Sequence, residues 1–595
     1  MKSLAPALFA AIAASGVAAQ ESPPAARAGT PTPCPDGVIS DVFIDNHSIF
    51  DTSDPALNRR FAWAYNVANA LHARTRASVI RRELLFDVGD CYDPLLLRES
   101  ERLLRAYDFL SHVDIFGLQQ PDSTWHVIVD TRDEWSTQLD LRVRFDGGVR
   151  FDGVRLRENN FLGTGQAIAF QYIERDVTRD VIVSYATPQL AGTRWDLRVA
   201  AGRTRAGTLV DQVIAYPFVG EIGKWAFRQS FRREDRFFDY IAGDAVENET
   251  RVLFPFRDKA VDFAAIARVG HPGALTLFGA AIGFQELTFP GADSAEIIRG
   301  GGSDGGSAAD SALLAEVQRQ AEPAENVRLM LLLGKRNVRW VQRRGFDSMR
   351  GVQDIRLGAE AELAIGRSLG LGRTDRDLIT SLGLYGARED AGVLLAGNLR
   401  LDARKDYDDG GRWKDLFAEG EGFAYWKPGP DSRHTFVLRA SAAGGWQTRT
   451  PFQLTLGGDR ALRGYARERF PGGRRVVFSI EDRIYAGWPL PDVVDLGATI
   501  FADLGRIWPG DAPFGTDSGW RTTAGFGLRG SFPAGGRTTY RLDLAFPIGH
   551  HAKPRDVRLV LSIGELLGLA ARPDETQMPR ARTNGFNGEL FHFPN

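Results

Sequence analysis

LGGDRALRGYARERFPGG (residues 456–473), then VVFSIEDRIY (476–485), then TIFADLG (499–505), is the stretch that decides the fold. A glycine-rich loop carrying an arginine precedes two segments that alternate as strands. In the later one, Thr499, Phe501, Asp503 and Gly505 fall on one face and Ile500, Ala502 and Leu504 on the other. In the earlier one, Val477, Ser479, Glu481 and Arg483 share a face against Val476, Phe478, Ile480 and Ile484. A buried guanidinium needs acceptors, and Glu481 and Asp503 on neighbouring strands are two candidates. The arrangement makes most sense if the loop folds back into a barrel. On this register Asp482 faces outward, which is costly in lipid unless a bulge or a rim position relieves it.

The same alternation extends through most of the chain. Leu139, Leu141, Val143 and Phe145 alternate with Asp140, Arg142 and Arg144, and Tyr540, Leu542, Leu544 and Phe546 with Arg541 and Asp543. Charge on one face and apolar side chains on the other fit a membrane barrel with a polar lumen. A soluble sandwich would bury the apolar face instead, but over four hundred residues of hairpins bring no second class of element to cover it. Five strands are expected after the arginine loop, at 476–485, 495–505, 519–532, 538–547 and 556–564. Between Ser136 and Trp446 about sixteen segments qualify. Residues 291–324, with GGGSDGGSAADSALL, and residues 406–430 are expected to be long extracellular loops.

The composition of the 595 residues agrees. Gly 65 and Phe 37 are generous and Met 4 is sparse, as suits a β-rich chain. Lys+Arg 73 against Asp+Glu 75 leaves no net field that would favour nucleic acid. MKSLAPALFAAIAASGVAAQ has the form of a secretory signal peptide cut after Ala19, and a disordered tether follows at 20–37. Cys34 and Cys91 either pair in an oxidising compartment or stay as two buried thiols, and two cysteines cannot make a Cys-rich zinc site. Residues 38–134 are expected to form a small α+β domain of strand, helices, strand, strand, with Asp93 capping a helix that opens at Pro94.

VIRRELLFDVGDCYDPLLLRESERLLRAYDFLSHVDI (79–115) resembles a POTRA domain, the periplasmic module of the BamA/TamA-type outer-membrane barrel assembly and translocation superfamily. The likeness rests on the Gly89-Asp90…Tyr92 turn, the LL pair of the helix after Pro94, and the Phe109…Val113 segment. ENNFLGTGQAIAFQY (158–172) resembles that superfamily's early barrel hairpins. Its hallmark is an arginine-glycine-aromatic tripeptide in the sixth extracellular loop, folded into the lumen against carboxylates. Carried over, the tripeptide is Arg463, Gly464 and Tyr465, the first acidic partner is Glu481, and Phe501, Asp503 and Gly505 match an F-x-D-x-G signature. Leu462 stands where valine is usual.

The resemblance implies a sixteen-stranded transmembrane barrel at 135–568 behind one POTRA domain. That leaves room for eleven strands before the arginine loop, so some segments there are expected to be split wrongly or to be extra hairpins outside the membrane. The chain departs from the family, which often ends on an aromatic residue closing the last strand, by continuing as a polar tail at 569–595. It implies an outer-membrane protein with the POTRA domain in the periplasm. Such a protein would insert barrel proteins into the membrane or pass polypeptides across it. Its partners would be the lipid bilayer, unfolded client chains and periplasmic proteins at the POTRA edge. A lateral seam would join residues 136–145 or 149–157 to 557–564. A two-partner-secretion transporter and a passive porin are the alternatives. No catalytic constellation, metal site or cofactor is expected. GFGLRG (525–530) lies in a strand rather than before a helix, GGSDG (301–305) lacks the strand and helix of a nucleophile elbow, and His550-His551 sits in a turn.

Overall fold

The structure is a computed structural model. It describes residues 34–563 except 51, 53–58, 146–148, 176–177, 243–249, 292–294, 300–306, 309–310, 372–374, 430, 488–492 and 550–556. The signal peptide, most of the tether, the tail at 569–595, the GGSDG run and His550-His551 lie outside the described residues.

The N-terminal unit comprises β1 (Ile39–His47), α1 (Ala62–Leu71), α2 (Ala77–Glu83), α3 (Pro94–Arg105), β2 (Leu110–Gln119) and β3 (Trp125–Asp133). Its sheet order is β1-β3-β2, with β1 parallel and β2 antiparallel to β3. Asp93 Oδ1 accepts from Leu95 N at 2.8 Å, so α3 opens with a side-chain cap and proline at its first position. The amphipathic face of α3 then buries Leu97 and Leu104 against Ile39, Ile80, Val127 and Val129. Gly89, at φ +94°, turns the chain so that Gly89 N donates to Ile39 O and Ile39 N to Asp90 O.

The remainder is a closed antiparallel barrel. Its wall begins with β4 (Thr137–Phe145), β5 (Val149–Glu158), β6 (Ala167–Arg175), β7 (Thr178–Thr187), β8 (Asp196–Thr204) and β9 (Gly207–Tyr216). Longer strands follow: β10 (Trp225–Ala242), β11 (Thr250–His271) and β12 (Ala274–Thr288). A short hairpin, β13 (Glu296–Arg299) with β14 (Ser307–Ala308), pairs with the start of β11 and leads to α4 (Ser311–Gln318). The wall resumes with β15 (Ala324–Arg344), β16 (Val352–Ser368), β17 (Asp377–Asp390), β18 (Val393–Asp406), β19 (Arg412–Trp426) and β20 (His434–Trp446). After an inner hairpin, β21 (Leu454–Leu456) with β22 (Phe470–Gly472), come β23 (Arg474–Tyr485) and β24 (Asp495–Trp508). The last three are β25 (Arg521–Ser531), β26 (Tyr540–Ile548) and β27 (Arg558–Ile563), and β27 hydrogen-bonds to β4.

Leaving out the two short hairpins, the wall has twenty strands, so the expected sixteen is corrected. The segments before Trp446 that the family pattern had no room for are strands of the wall. Residues 406–430 are likewise corrected, because most of them are β19. That strand hides its period by placing Phe417, Glu419, Glu421, Phe423 and Tyr425 on one face and small residues such as Ala418, Gly420 and Gly422 on the other. In the other insertion, 291–324, the described residues are not a plain loop: β13 pairs with β11, and α4 follows with Val317 buried against Tyr240 and Val252.

Burial alternates strictly on β24, where Asp495, Gly497, Thr499, Phe501, Asp503 and Gly505 are buried while Ile500 is 59% exposed. Apolar side chains therefore face out and polar ones in. Among the described residues no helix is long and apolar enough to cross a membrane. Strands β4–β9 have nine or ten residues, a membrane-crossing length, whereas β11 has 22.

The N-terminal unit sits across the barrel end at which β4 begins. Arg105 on α3 forks onto Asp354 on β16, with Nε to Oδ2 and Nη2 to Oδ1 both at 2.9 Å. Gln189, between β7 and β8, donates to Val79 O at 3.1 Å and to Glu83 Oε1 at 2.6 Å. Asn160, between β5 and β6, donates to Thr75 Oγ1 at 2.8 Å. Glu221 N, between β9 and β10, donates to Glu99 Oε2 at 2.7 Å. Between β25 and β26, Phe532 meets Phe50, and the Arg537 guanidinium donates to the Arg105 and Tyr107 carbonyls. Turns from widely separated arcs of the ring thus hold one small body over the mouth.

Candidate functional site

The loop that joins β21 to β22 starts at the far end of the barrel and runs inward. Leu454, Leu456 and Leu462 are fully buried with Phe452, Val477 and Ile507, so an apolar knot pins the hairpin to the inner wall. Gly458 N donates to Leu462 O and Tyr465 O, each at 3.2 Å, which draws the loop into a compact turn. Arg439 on β20 adds a bond from Nη1 to Arg460 O at 2.7 Å.

This scaffold delivers Arg463 to the wall, where it is 1% exposed. Its Nε and Nη2 meet the two oxygens of Asp503 at 2.9 and 2.7 Å, the bidentate fork suited to a guanidinium. Nη1 reaches Glu481 Oε1 at 3.4 Å and Asp543 Oδ2 at 3.8 Å. The guanidinium carbon lies 3.5 Å from the centroid of Phe501, a cation–π contact away from water.

The carboxylates are shared in turn. Glu481, fully buried, accepts from Arg541 Nη2 at 2.5 Å, Arg483 Nη2 at 3.4 Å and Thr499 Oγ1 at 3.3 Å. Arg541 Nη2 also donates to Asp543 Oδ2 at 2.9 Å, and Arg483 Nη1 reaches Asp347 Oδ1 at 3.2 Å. Three cations and four carboxylates therefore form one connected network in which no charge is buried alone.

The glycines make room for it. A Cβ on Gly464 would stand 2.8 Å from Pro547 N and 2.9 Å from Phe546 C, so the loop backbone lies against β26 with no space for a side chain. Gly505 faces Leu456 and Leu462. On β25, a Cβ at Gly525 would meet the Phe501 ring at 2.4 Å and one at Gly527 would meet Asp543 Oδ1 at 2.0 Å. The GFGLRG run is thus the part of the wall over which those two side chains lie.

The structure brings together all seven loop and strand residues singled out in the sequence. Arg463, Glu481, Phe501 and Asp503 touch as described, and Tyr465 packs on Phe470 with ring centroids 5.7 Å apart. Sequence reasoning missed Asp543, Arg541, Arg483 and Asp347 as members. The signal was present, since Arg541 and Asp543 lie on the polar face of their strand, but nothing in the spacing placed them beside the loop. Asp482 stays on the outer face with no register shift on either side and meets His434 Nδ1 at 3.0 Å, near the end of the strand. Cys34 and Cys91 form a disulfide that fastens residue 34 to the segment before α3.

No family model matches the chain, and no curated protein matches it. Among solved structures it is similar to BamA from Haemophilus ducreyi lacking POTRA domains 1–3, at 14% identity and a TM-score of 0.36, over 88% of this chain and 83% of that one. It is similar to CdiB from Escherichia coli at 11% identity and a TM-score of 0.36, over 91% and 92% of the two chains. A third is the outer membrane protein opdK from Pseudomonas aeruginosa, at 12% identity and a TM-score of 0.29, over 72% and 94%. The barrel architecture therefore stands on this chain's own strand pairing.

Proposed function

We propose that this chain is an outer-membrane barrel that inserts other barrel proteins or carries polypeptides across the membrane, with its N-terminal unit in the periplasm. The observation that carries the reading is the mouth of the barrel, spanned by a docked body. A passive pore works through an open water column, whereas here residues from several arcs of the ring hold Arg105, Glu83 and Glu99 of the docked body in place across the opening. Such a barrel works when a client displaces or engages the docked body.

Two features support the same reading. We read the N-terminal unit, with three helices between its first and second strands and a mixed sheet, as a POTRA-type module whose edge strands β1 and β2 offer backbone to an extended client. The arginine network is the lumenal lock that such barrels carry, holding the loop inside while the wall opens at the pairing of β27 with β4. Its role is non-enzymatic, through positioning alone.

Photo-crosslinking from β27 positions in cells tests the proposal. Capture of nascent barrel proteins identifies an insertase, and capture of one exported protein identifies a transporter. Capture of neither, with free diffusion of small solutes through the purified barrel, refutes both.

A further inference from the structure

Between the N-terminal unit and the barrel mouth lies a cavity of about 670 Å³. Its walls come from β2 and β3 of the unit and from the barrel turns after β15, β19 and β25. Seven lysines and arginines line it, against the carboxylates of Asp130 and Asp431. That imbalance is local, because the whole chain carries only −2.

Some of these cations are already engaged. Arg350 bonds Asp495 at 2.7 Å and Arg483 bonds Asp347. Four others, Arg132, Arg344, Lys427 and Arg433, make no ion pair within 4 Å among the described residues. Arg132 keeps a buried Nε with no hydrogen-bond partner there. They arrive from separate places, namely β3, the end of β15 and the turn after β19. Like charges brought together repel, and confinement beside a low-dielectric wall strengthens the repulsion. A ligand of opposite charge removes that cost.

We propose that this cavity binds an anion of phosphate chemistry, clasped between the N-terminal unit and the barrel. A planar carboxylate suits one guanidinium fork, whereas a tetrahedral phosphate presents oxygens to cations arriving from several directions. The volume is that of an ordinary ligand site. Because Arg132 belongs to the unit and the other three to the barrel, the anion fastens the two together and stabilises the docked state by mass action. The site would serve a passive barrel equally, so its test is separate from client capture.

The test uses the full chain in an uncharged detergent at low salt, titrated by calorimetry with sodium pyrophosphate and with a short-chain phosphatidylglycerol. Short-chain phosphatidylcholine is the control. Saturable pyrophosphate binding identifies a free anion as sufficient, and saturable phosphatidylglycerol binding alone identifies a lipid headgroup. Each neutralised cation is expected to weaken binding about tenfold. The pair Arg132→Gln with Arg433→Gln therefore loses about a hundredfold, with retained barrel mobility on unheated gels showing that the variant folds. A second pair, Arg344→Gln with Lys427→Gln, is expected to do the same. The proposal is overturned if neither probe saturates, or if both pairs of substitutions leave binding unchanged.

Discussion

Replacing Arg463 by alanine removes the one side chain that ties the inward loop to three strands. Glu481 keeps Arg541 and Arg483, and Asp543 keeps Arg541. Asp503 loses its bidentate partner and stays 2% exposed. Removing one member of a buried pair costs about 3–5 kcal/mol, chiefly from the charge left behind. The Phe501 stacking adds roughly 1–2 kcal/mol more. Water entering the vacated space and drift of the loop offset part of this, so a net loss of about 4 kcal/mol is expected. At ~2.1 cal/mol/K per residue, a barrel running from Thr137 to Ile563 has an unfolding entropy near 0.9 kcal/mol/K, and Tm falls by about 4 °C.

The measurement is the loss of folded mobility on heating in detergent, followed by gel, for the wild type and for a double-mutant cycle with Asp503→Asn. If the network is the cause, Asp503→Asn relieves the stranded charge and the double variant is more stable than Arg463→Ala alone, with a coupling of at least ~2 kcal/mol. Arg463→Lys keeps the charge but loses the fork and the stacking, so it falls between. A shift under 1 °C for Arg463→Ala, or strict additivity in the cycle, refutes the account.

Three further outcomes are expected. Gly464→Ala forces a Cβ into the β26 backbone at 2.8 Å and should loosen the loop by about 1–3 kcal/mol, read as new protease cleavage between Leu456 and Phe470. Asp354→Asn should undock the N-terminal unit by leaving Arg105 without its forked acceptor, seen as a broadened spin-label distance between α3 and β16 while barrel mobility is unchanged. Burial pushes the Glu134 carboxyl above the usual carboxylate range, against the pull of Arg537 and of the backbone N–H groups of Thr538 and Arg537. A raised acid pKa means the docked state favours the proton, so this group strengthens docking as pH falls through that pKa and ceases to do so above it. Glu134→Gln should abolish that part of the pH dependence in the same distance measurement.

What the sequence displayed and what it hid divide along a physical line. Alternation reports the face of a strand locally, and so Glu481 and Asp503, on strands that follow the loop directly, were legible from period alone. Asp543 lies two strands beyond Asp503, across Gly525 and Gly527, and only the pairing register shows that its side chain overlies Gly527 to reach the arginine. The docking of the N-terminal unit was illegible for the same reason. Arg105 and Asp354 are 249 residues apart, and no periodicity links them. Strand number failed differently. The segments themselves pointed to more than sixteen strands, and sixteen came from the resemblance. The exception was β19, where aromatic residues share the inner face with acids and the expected contrast vanishes.

Ring size acts differently on the arginine network and on the docked unit. Adding hairpins to a ring enlarges its circumference, but it leaves untouched the pairings of strands that remain neighbours. The network uses β23, β24, β25 and β26, which are consecutive in chain and in space, and a loop anchored between β20 and β23. Apart from the Arg483–Asp347 contact, which reaches the turn after β15, its contacts stay within these strands and the loop, so hairpins inserted elsewhere on the ring leave them unstrained. The docked unit has no such protection. Its partners lie on the turns after β5, β7 and β9, on β16 and on the turn after β25, and a wider ring moves these apart. A single small body thus spans a twenty-strand mouth, and the basic cavity lies between it and the turns after β15, β19 and β25. The arginine network is thus built chiefly by four neighbouring strands, while the docking of the N-terminal unit draws on the whole ring.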